Sequence, residues 1–332
     1  MTSSNERQPK SSRGLWWLAL VALLVFALYS AGWFWLAHRI RSEADGTVLA
    51  LNARGIQAGC ANMLVSGYPL RLNVTCDNVA YEDDARNVAA AAGSLNAVAS
   101  LPFPWLPTAE IRGPLRTSTP GMAPLWIDWD RLDAAAQLSW PLPRKVSLAA
   151  EGLSAQTDPA DDSDPVQLLS IGNATAELRP NGPDLRYSGR FSDLEVDASA
   201  IGGRVLPPLD GGGDATLKNG IGLLAAVPAS LRGQAVEIAN LELTAGDARV
   251  SVSGPISVDA DGLIDAALSV RLRNPKAVAE VLAGAIPEKA DQIRQGFAAV
   301  ALLGSQPAIP LKIVKGKASL GFIRLADIAP VR

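Results

Sequence analysis

Residues 263–273 alternate between apolar and polar positions. Ile264, Ala266, Leu268, Val270 and Leu272 are apolar, and Asp265, Ser269, Arg271 and Arg273 lie between them. A period of two puts these sets on opposite faces of a β-strand, one buried and one in water. The run 249–253 and the turn 259–262 just before it predict a hairpin or meander. Similar pairs recur along the chain. Residues 174–179 and 185–191 flank Asn181-Gly182, which suits a two-residue hairpin turn. Residues 125–138 and 145–153 flank Trp140-Pro141-Leu142-Pro143, residues 236–244 add a strand, and residues 311–324 read as two short strands about Lys315-Gly316.

Two stretches break this pattern. Residues 158–165, rich in Asp and Pro, and residues 207–213, rich in Pro and Gly, read as exposed loops. Residues 274–303 change period instead. Ala277, Val278, Val281 and Leu282 form one helical face, Asn274 can cap it, and Pro275 suits the first turn. A second helix follows Pro287 and ends before Gly304. The fold expected is mainly β (α+β): an extended, curved antiparallel sheet or β-sandwich with a few packed helices. Such a sheet, apolar on one face, rolls around another sheet, a helix or an apolar ligand.

The start of the chain follows neither pattern. Residues 15–37 carry no charge and, as a helix, would span roughly 35 Å, enough for a bilayer core of about 30 Å. Trp16 and Trp17 stand at one end and Trp33 and Trp35 at the other, as in interfacial aromatic belts. A cleaved signal peptide competes with this reading, since Ser30-Ala31-Gly32 is a passable small-residue site, although the apolar run exceeds the usual length. The organisation expected is a disordered cytoplasmic tail at 1–14, a transmembrane anchor at 15–37 and a β-rich extracytoplasmic domain at 38–332, its first part, 38–51, helical. Arg7, Lys10 and Arg13 precede the span while Arg39 and Arg41 follow it, so the positive-inside comparison favours a cytoplasmic N-terminus only narrowly. Elsewhere, 30 Lys and Arg balance 33 Asp and Glu. No basic excess points to nucleic acid.

Cys60 and Cys76 are the two cysteines of the chain. Each ends a strand-like run, with Ser66-Gly67-Tyr68-Pro69 between them as the reversal, and hairpin arms of that length would bring them within disulfide reach. Two free thiols are the alternative. A metal site is the third reading, but two thiols supply only half of a tetrahedral shell. A disulfide would place the domain in an oxidising compartment and support the cytoplasmic N-terminus. Gly67 can take a positive φ and Pro69 fixes its own, so the pair sets a turn. Tyr68 is expected to pack over the hairpin, and Arg71 to pair with a carboxylate or with a lipid phosphate.

The anchor followed by Ser66-Gly67-Tyr68-Pro69-Leu70-Arg71-Leu72 resembles the bacterial family called domain of unknown function 2125. That family carries Gly, Phe or Tyr, Pro, Phe or Leu, and Arg soon after an inner-membrane anchor. The ending from Ile309 to Gly321 is similar to its closing pattern of two apolar strands about a glycine. The general look is also similar, more distantly, to AsmA-like envelope proteins, which implies apolar grooves that hold or pass lipids. This chain is much shorter than the members that bridge the envelope.

Catalytic chemistry is poorly provisioned. The one histidine, His38, sits at the end of the apolar run, so no Ser-His or Cys-His pair is available beyond it. Nucleophile-elbow, phosphate-loop and dinucleotide fingerprints are missing. Asp158, Asp161, Asp162 and Asp164 lack the ordered spacing of a calcium loop. The expectation is a protein that is not an enzyme and uses no cofactor or metal. It would sit in the bacterial inner membrane by a single pass, with its main domain periplasmic. Its function would be to bind a lipid or other apolar ligand in a β-lined groove, with Ile264, Ala266, Leu268, Val270 and Leu272 as candidate lining. The alternative is a non-catalytic scaffold of envelope assembly that meets partner proteins through a strand edge or the proline-rich run 102–107.

Overall fold

The computed structural model describes residues 12–120, 123–159, 163–225, 231–302, 304, 306–320 and 323–330. The apolar run and the segment after it form one continuous helix, α1 (Ser12–Asn52). Leu and Ala dominate its first half and no proline interrupts it, which suits helix propagation. It is long and apolar enough to cross a membrane. Residues 12–14, expected in the tail, already belong to it, and residues 1–11 of that tail lie outside the described residues.

Five strand lengths, each broken once, follow as an antiparallel meander. They are β1 (Ile56–Ala61) with β2 (Leu64–Ser66), β3 (Arg71–Cys76) with β4 (Asn78–Asp83), β5 (Val88–Ala92) with β6 (Leu95–Ser100), β7 (Phe103–Ile111) with β8 (Leu115–Ser118), and β9 (Leu125–Asp128) with β10 (Arg131–Gln137). The breaks line up across neighbours. The sixth length, β11 (Lys145–Thr157), joins both halves: residues 145–151 pair with β10 and residues 154–157 with β9. At the join stands Gly152, with φ +62° and the Asp130 carboxylate lying where a Cβ would be. Only glycine adopts that backbone without penalty beneath a side chain.

Beyond this seam the strands are long and each pairs with the one before. They are β12 (Gln167–Asn181), β13 (Asp184–Val196), β14 (Leu209–Leu217), β15 (Ala235–Ala245), β16 (Ala248–Val258) and β17 (Ile264–Arg273), with the short α2 (Gly220–Ala225) between β14 and β15. The predicted helices follow as α3 (Pro275–Ala285) and α4 (Ala290–Ala301). Asn274 caps α3, its side chain accepting from the Ala277 amide at 3.3 Å. Then β18 (Ala308–Val314), β19 (Lys317–Leu320) and β20 (Ile323–Asp327) complete the sheet. The sheet does not close, since β1 and β20 do not pair with each other.

One loop expectation is overturned. Residues 209–213, assigned to a loop by their glycines, are the first half of β14. The glycines are there because neighbours lie across them: the Phe191 ring covers Gly211 and the Leu241 side chain covers Gly213. A Cβ at either position would meet those atoms and the backbone of β15. Asp158 pairs with Arg116 at 3.7 Å, while Asp161, Asp162 and Gly321 lie outside the described residues.

A filled sandwich is not what forms. The surface area is 21936 Å², against about 13,000 Å² for a compact protein of 34.7 kDa by the usual size scaling. Among the described residues no large side chain is fully buried. A buried cluster, Ala248, Leu272 and Val278, lies where α3 packs on β16 and β17. The Arg294 guanidinium bridges to Glu280 at 3.1 Å, holding α4 to α3.

Candidate functional site

In an antiparallel sheet, directly opposed residues point to the same face. Followed from strand to strand, the register therefore says what each face offers. Starting at Val65 of β2, the opposed residues are Val74, Ala97, Ala109, Ala134 and Leu148. From β12 onward the row continues as Ala176, Gly189, Gly213 and Leu241, then Val252, Val270 and Ile309. This one row crosses 13 strands without a polar side chain. At the usual strand spacing of about 4.8 Å it is roughly 57 Å long.

The parallel row through Leu132, Ala150, Ala174, Phe191, Gly211 and Leu243 is apolar as well. The Tyr187 ring covers Gly189 as the Phe191 ring covers Gly211, so small residues make room for large neighbours. Several remain open to solvent: Leu241 and Leu243 are each 44% exposed. Polar side chains dominate the opposite face. One residue over from Leu148, the register reads Ser147, Glu177, Ser188 and Asp214.

The five candidate lining residues of β17 all lie on the apolar face, but not all are open. Leu272 is beneath α3 in the buried cluster, and Leu268 is also buried. Ile264, Ala266 and Val270 are half-buried. The more accessible part of the face is on β11 to β15, where Leu148, Leu178, Tyr187, Leu241 and Leu243 are exposed. The interrupting glycines hid that part from a reading of apolar runs. A signal was present in the alternation of Leu241 and Leu243 with Glu242.

Concavity and apolarity do not coincide. A depression of about 480 Å³ lies on the polar face, lined by Thr175, Arg190, Asp214 and Glu242 among others. On that face Glu177 receives the Lys145 ammonium and the Arg179 guanidinium, which together hold its carboxyl below the ordinary value.

Cys60 and Cys76 form a disulfide, with their Cα atoms 5.4 Å apart. It lies where the first two strand lengths break, beside Asn62, which donates from its side chain to the Asp77 carboxylate at 2.9 Å. Gly67 has φ +104° and its carbonyl accepts from the Arg71 amide at 3.0 Å. The turn it forms packs against α1, and Tyr68 is part of that contact. Tyr68 stacks on Phe34 and meets Trp33 edge-on, and its hydroxyl lies 2.7 Å from that of Ser30. The Tyr29 hydroxyl donates to the Pro69 carbonyl. Trp33, expected in an aromatic belt, is instead 6% exposed under Tyr68. The Arg71 side chain is exposed, and among the described residues it has no carboxylate within ion-pair distance.

The turn and the C-terminal part of α1 that it packs on thus adjoin the long meander. The profile of the family described as an uncharacterized protein conserved in bacteria (DUF2125) matches residues 33–329. The chain belongs to this family. The match starts at Trp33, the helix residue that holds the turn. No curated protein matches the sequence.

Proposed function

We propose that this DUF2125 member is a membrane-anchored envelope protein whose open sheet carries a lipid or acyl chain along its apolar face. The observation behind this reading is the row of 13 apolar residues from Val65 to Ile309. A sheet of this width ordinarily covers such a face with a second layer, and exposed contiguous apolar surface marks an interaction site. Lipid is the ligand class that fits the part of this row left open by α3, from Val65 to Val252 and roughly 48 Å long, with no hydrogen-bonding side chain in it. The stripe begins at Val65, two residues before the turn that rests on α1, so a chain leaving the bilayer has a short path to it.

Two features, α1 and the disulfide, support the placement. With α1 spanning the inner membrane and the disulfide formed in an oxidising compartment, the N-terminus is cytoplasmic and the sheet periplasmic. We read the protein as a carrier without catalysis: its one histidine, His38, lies on α1 and not on the sheet.

Native mass spectrometry of the purified full chain, with lipid extraction, tests this. Co-purifying phospholipid or fatty acid is expected, and it is lost on Leu241→Asp with Leu243→Asp but kept on Thr175→Asp, which alters the polar face. A clean apo mass after incubation with envelope lipids would overturn the reading.

A further inference from the structure

The same end of the sheet that touches α1 carries a second apolar feature, distinct from the stripe. Three successive turns lie there: 67–70 between β2 and β3, 101–102 between β6 and β7, and 138–144 between β10 and β11. They are joined by backbone hydrogen bonds. The Leu101 amide donates to the Leu70 carbonyl at 3.0 Å, and the Leu138 amide donates to the Trp105 carbonyl at 2.8 Å. Residues 67–70, 101–107 and 138–143 contain no charged side chain, and Arg71, Arg144 and Lys145 follow directly. Large apolar groups project into solvent: Trp140 is 96% exposed and Leu70 64%, with Phe103, Trp105 and Leu106 exposed beside them.

Of the turns at this end, the three beside α1 share this character, and the connection from β14 to β15 is also uncharged from Asn219 to Leu231. Farther along the same end the turn is Asn181-Gly182, with Asp184 and Lys218 paired at 2.9 Å. At the opposite end, the turn after β4 carries Asp84 and Arg86. The depth of the first tip is set by its partners on the helix. Tyr29, Ser30 and Trp33 lie eight to four residues before Ala37, so the turn meets α1 about 6–12 Å inside the end of the apolar run.

We propose that these three hairpin tips insert into the bilayer leaflet on the sheet's side of the membrane that α1 spans. The occupant of the tip surface is lipid. A turn held against a transmembrane helix below its interfacial end is already in the leaflet; the second turn is bonded to it through Leu101, and the third lies next in the sheet, bonded to Trp105 of β7. Trp105 and Trp140 then occupy the interface favoured by tryptophan. Arg71, Arg144 and Lys145 stand where their long stems reach headgroup phosphates. The proposal rests on α1 as a membrane span, and it is independent of lipid on the sheet face.

The test uses the full chain in vesicles of phosphatidylethanolamine and phosphatidylglycerol. Both native cysteines are in the disulfide, so single thiols introduced by Trp140→Cys, Leu106→Cys, Ala85→Cys or Val25→Cys take a fluorophore selectively. Labels at 140 and 106 are expected to be quenched by phospholipid spin-labelled near the headgroup and protected from aqueous iodide. Ala85, at the opposite end, should show the reverse, and Val25 should be quenched by a spin label at the acyl-chain end. Iodide quenching at 140 and 106 equal to that at 85 would overturn the proposal. Protection at those positions from both quenchers would also overturn it, because a second copy would then cover the tips. An unquenched label at 25 would overturn the span itself, which separates that failure from failure of tip insertion.

Discussion

The indole N–H of Trp33 donates to the backbone carbonyl of Arg71 at 3.1 Å, across 38 residues of sequence. This bond and the Tyr68 ring contacts fix the first hairpin to α1, so the sheet is attached at a defined height on the helix and not only through the chain connection. Trp33→Phe keeps a ring in place and removes the donor. The expected cost is about 1 kcal/mol, seen as roughly fivefold faster amide exchange over residues 67–71. Trp33→Ala, which also removes the ring contacts, should free the turn further.

The disulfide closes a loop at the point where the first two strand lengths bend. Replacing Cys60 and Cys76 together by Ala should lower stability by about 3 kcal/mol in the chain-entropy model. Denaturant unfolding of wild type with and without reductant should show the same loss, and the double variant should be insensitive to reductant.

Gly152 and Asp130 interlock at the seam. Gly152→Ala forces a non-glycine residue into a left-handed conformation, costing about 1–2 kcal/mol, and drives its Cβ into the Asp130 carboxylate. Adding Asp130→Ala should restore the steric share and leave the backbone share. A double-mutant cycle of unfolding free energies measures both.

That seam explains what the sequence alone conveyed. Period-two alternation was plain in β17, which runs unbroken, and the structure bears it out almost to the residue. In β11 the apolar set is Leu148 and Ala150 before Gly152, but Leu153 and Ala155 after it. The parity changes at mid-strand, so a reading that carries one period through the segment fails, and strands such as β4 to β6 were not separable. The glycines of β14 misled for a related reason. They mark close approach of neighbouring side chains, which local composition cannot distinguish from a flexible loop. The Gly67-Pro69 turn was legible, but its docking on α1 depends on contacts between segments about 38 positions apart.

Glu177 should give the sheet an acid-sensitive component. Its folded-state value is depressed by the Lys145 and Arg179 contacts from an ordinary 4.5. A depressed carboxylate contributes fully above the unfolded value, and the contribution is lost as pH falls from about 4.5 through the lower folded value. Glu177→Gln should therefore flatten the thermal midpoint against pH in that acid range. Asp184, Asp197 and Glu280 are depressed in the same direction and add to that slope.

The two faces of the sheet can be compared at adjacent residues of β15. A photo-reactive phenylalanine analogue placed at Leu241 looks out from the apolar row, and one at Glu242 looks out from the polar face. Illumination of cells, followed by mass spectrometry of the purified chain, should give lipid adducts at 241 and none at 242. Equal labelling at both positions, or protein adducts alone at 241, would contradict a lipid-carrying face.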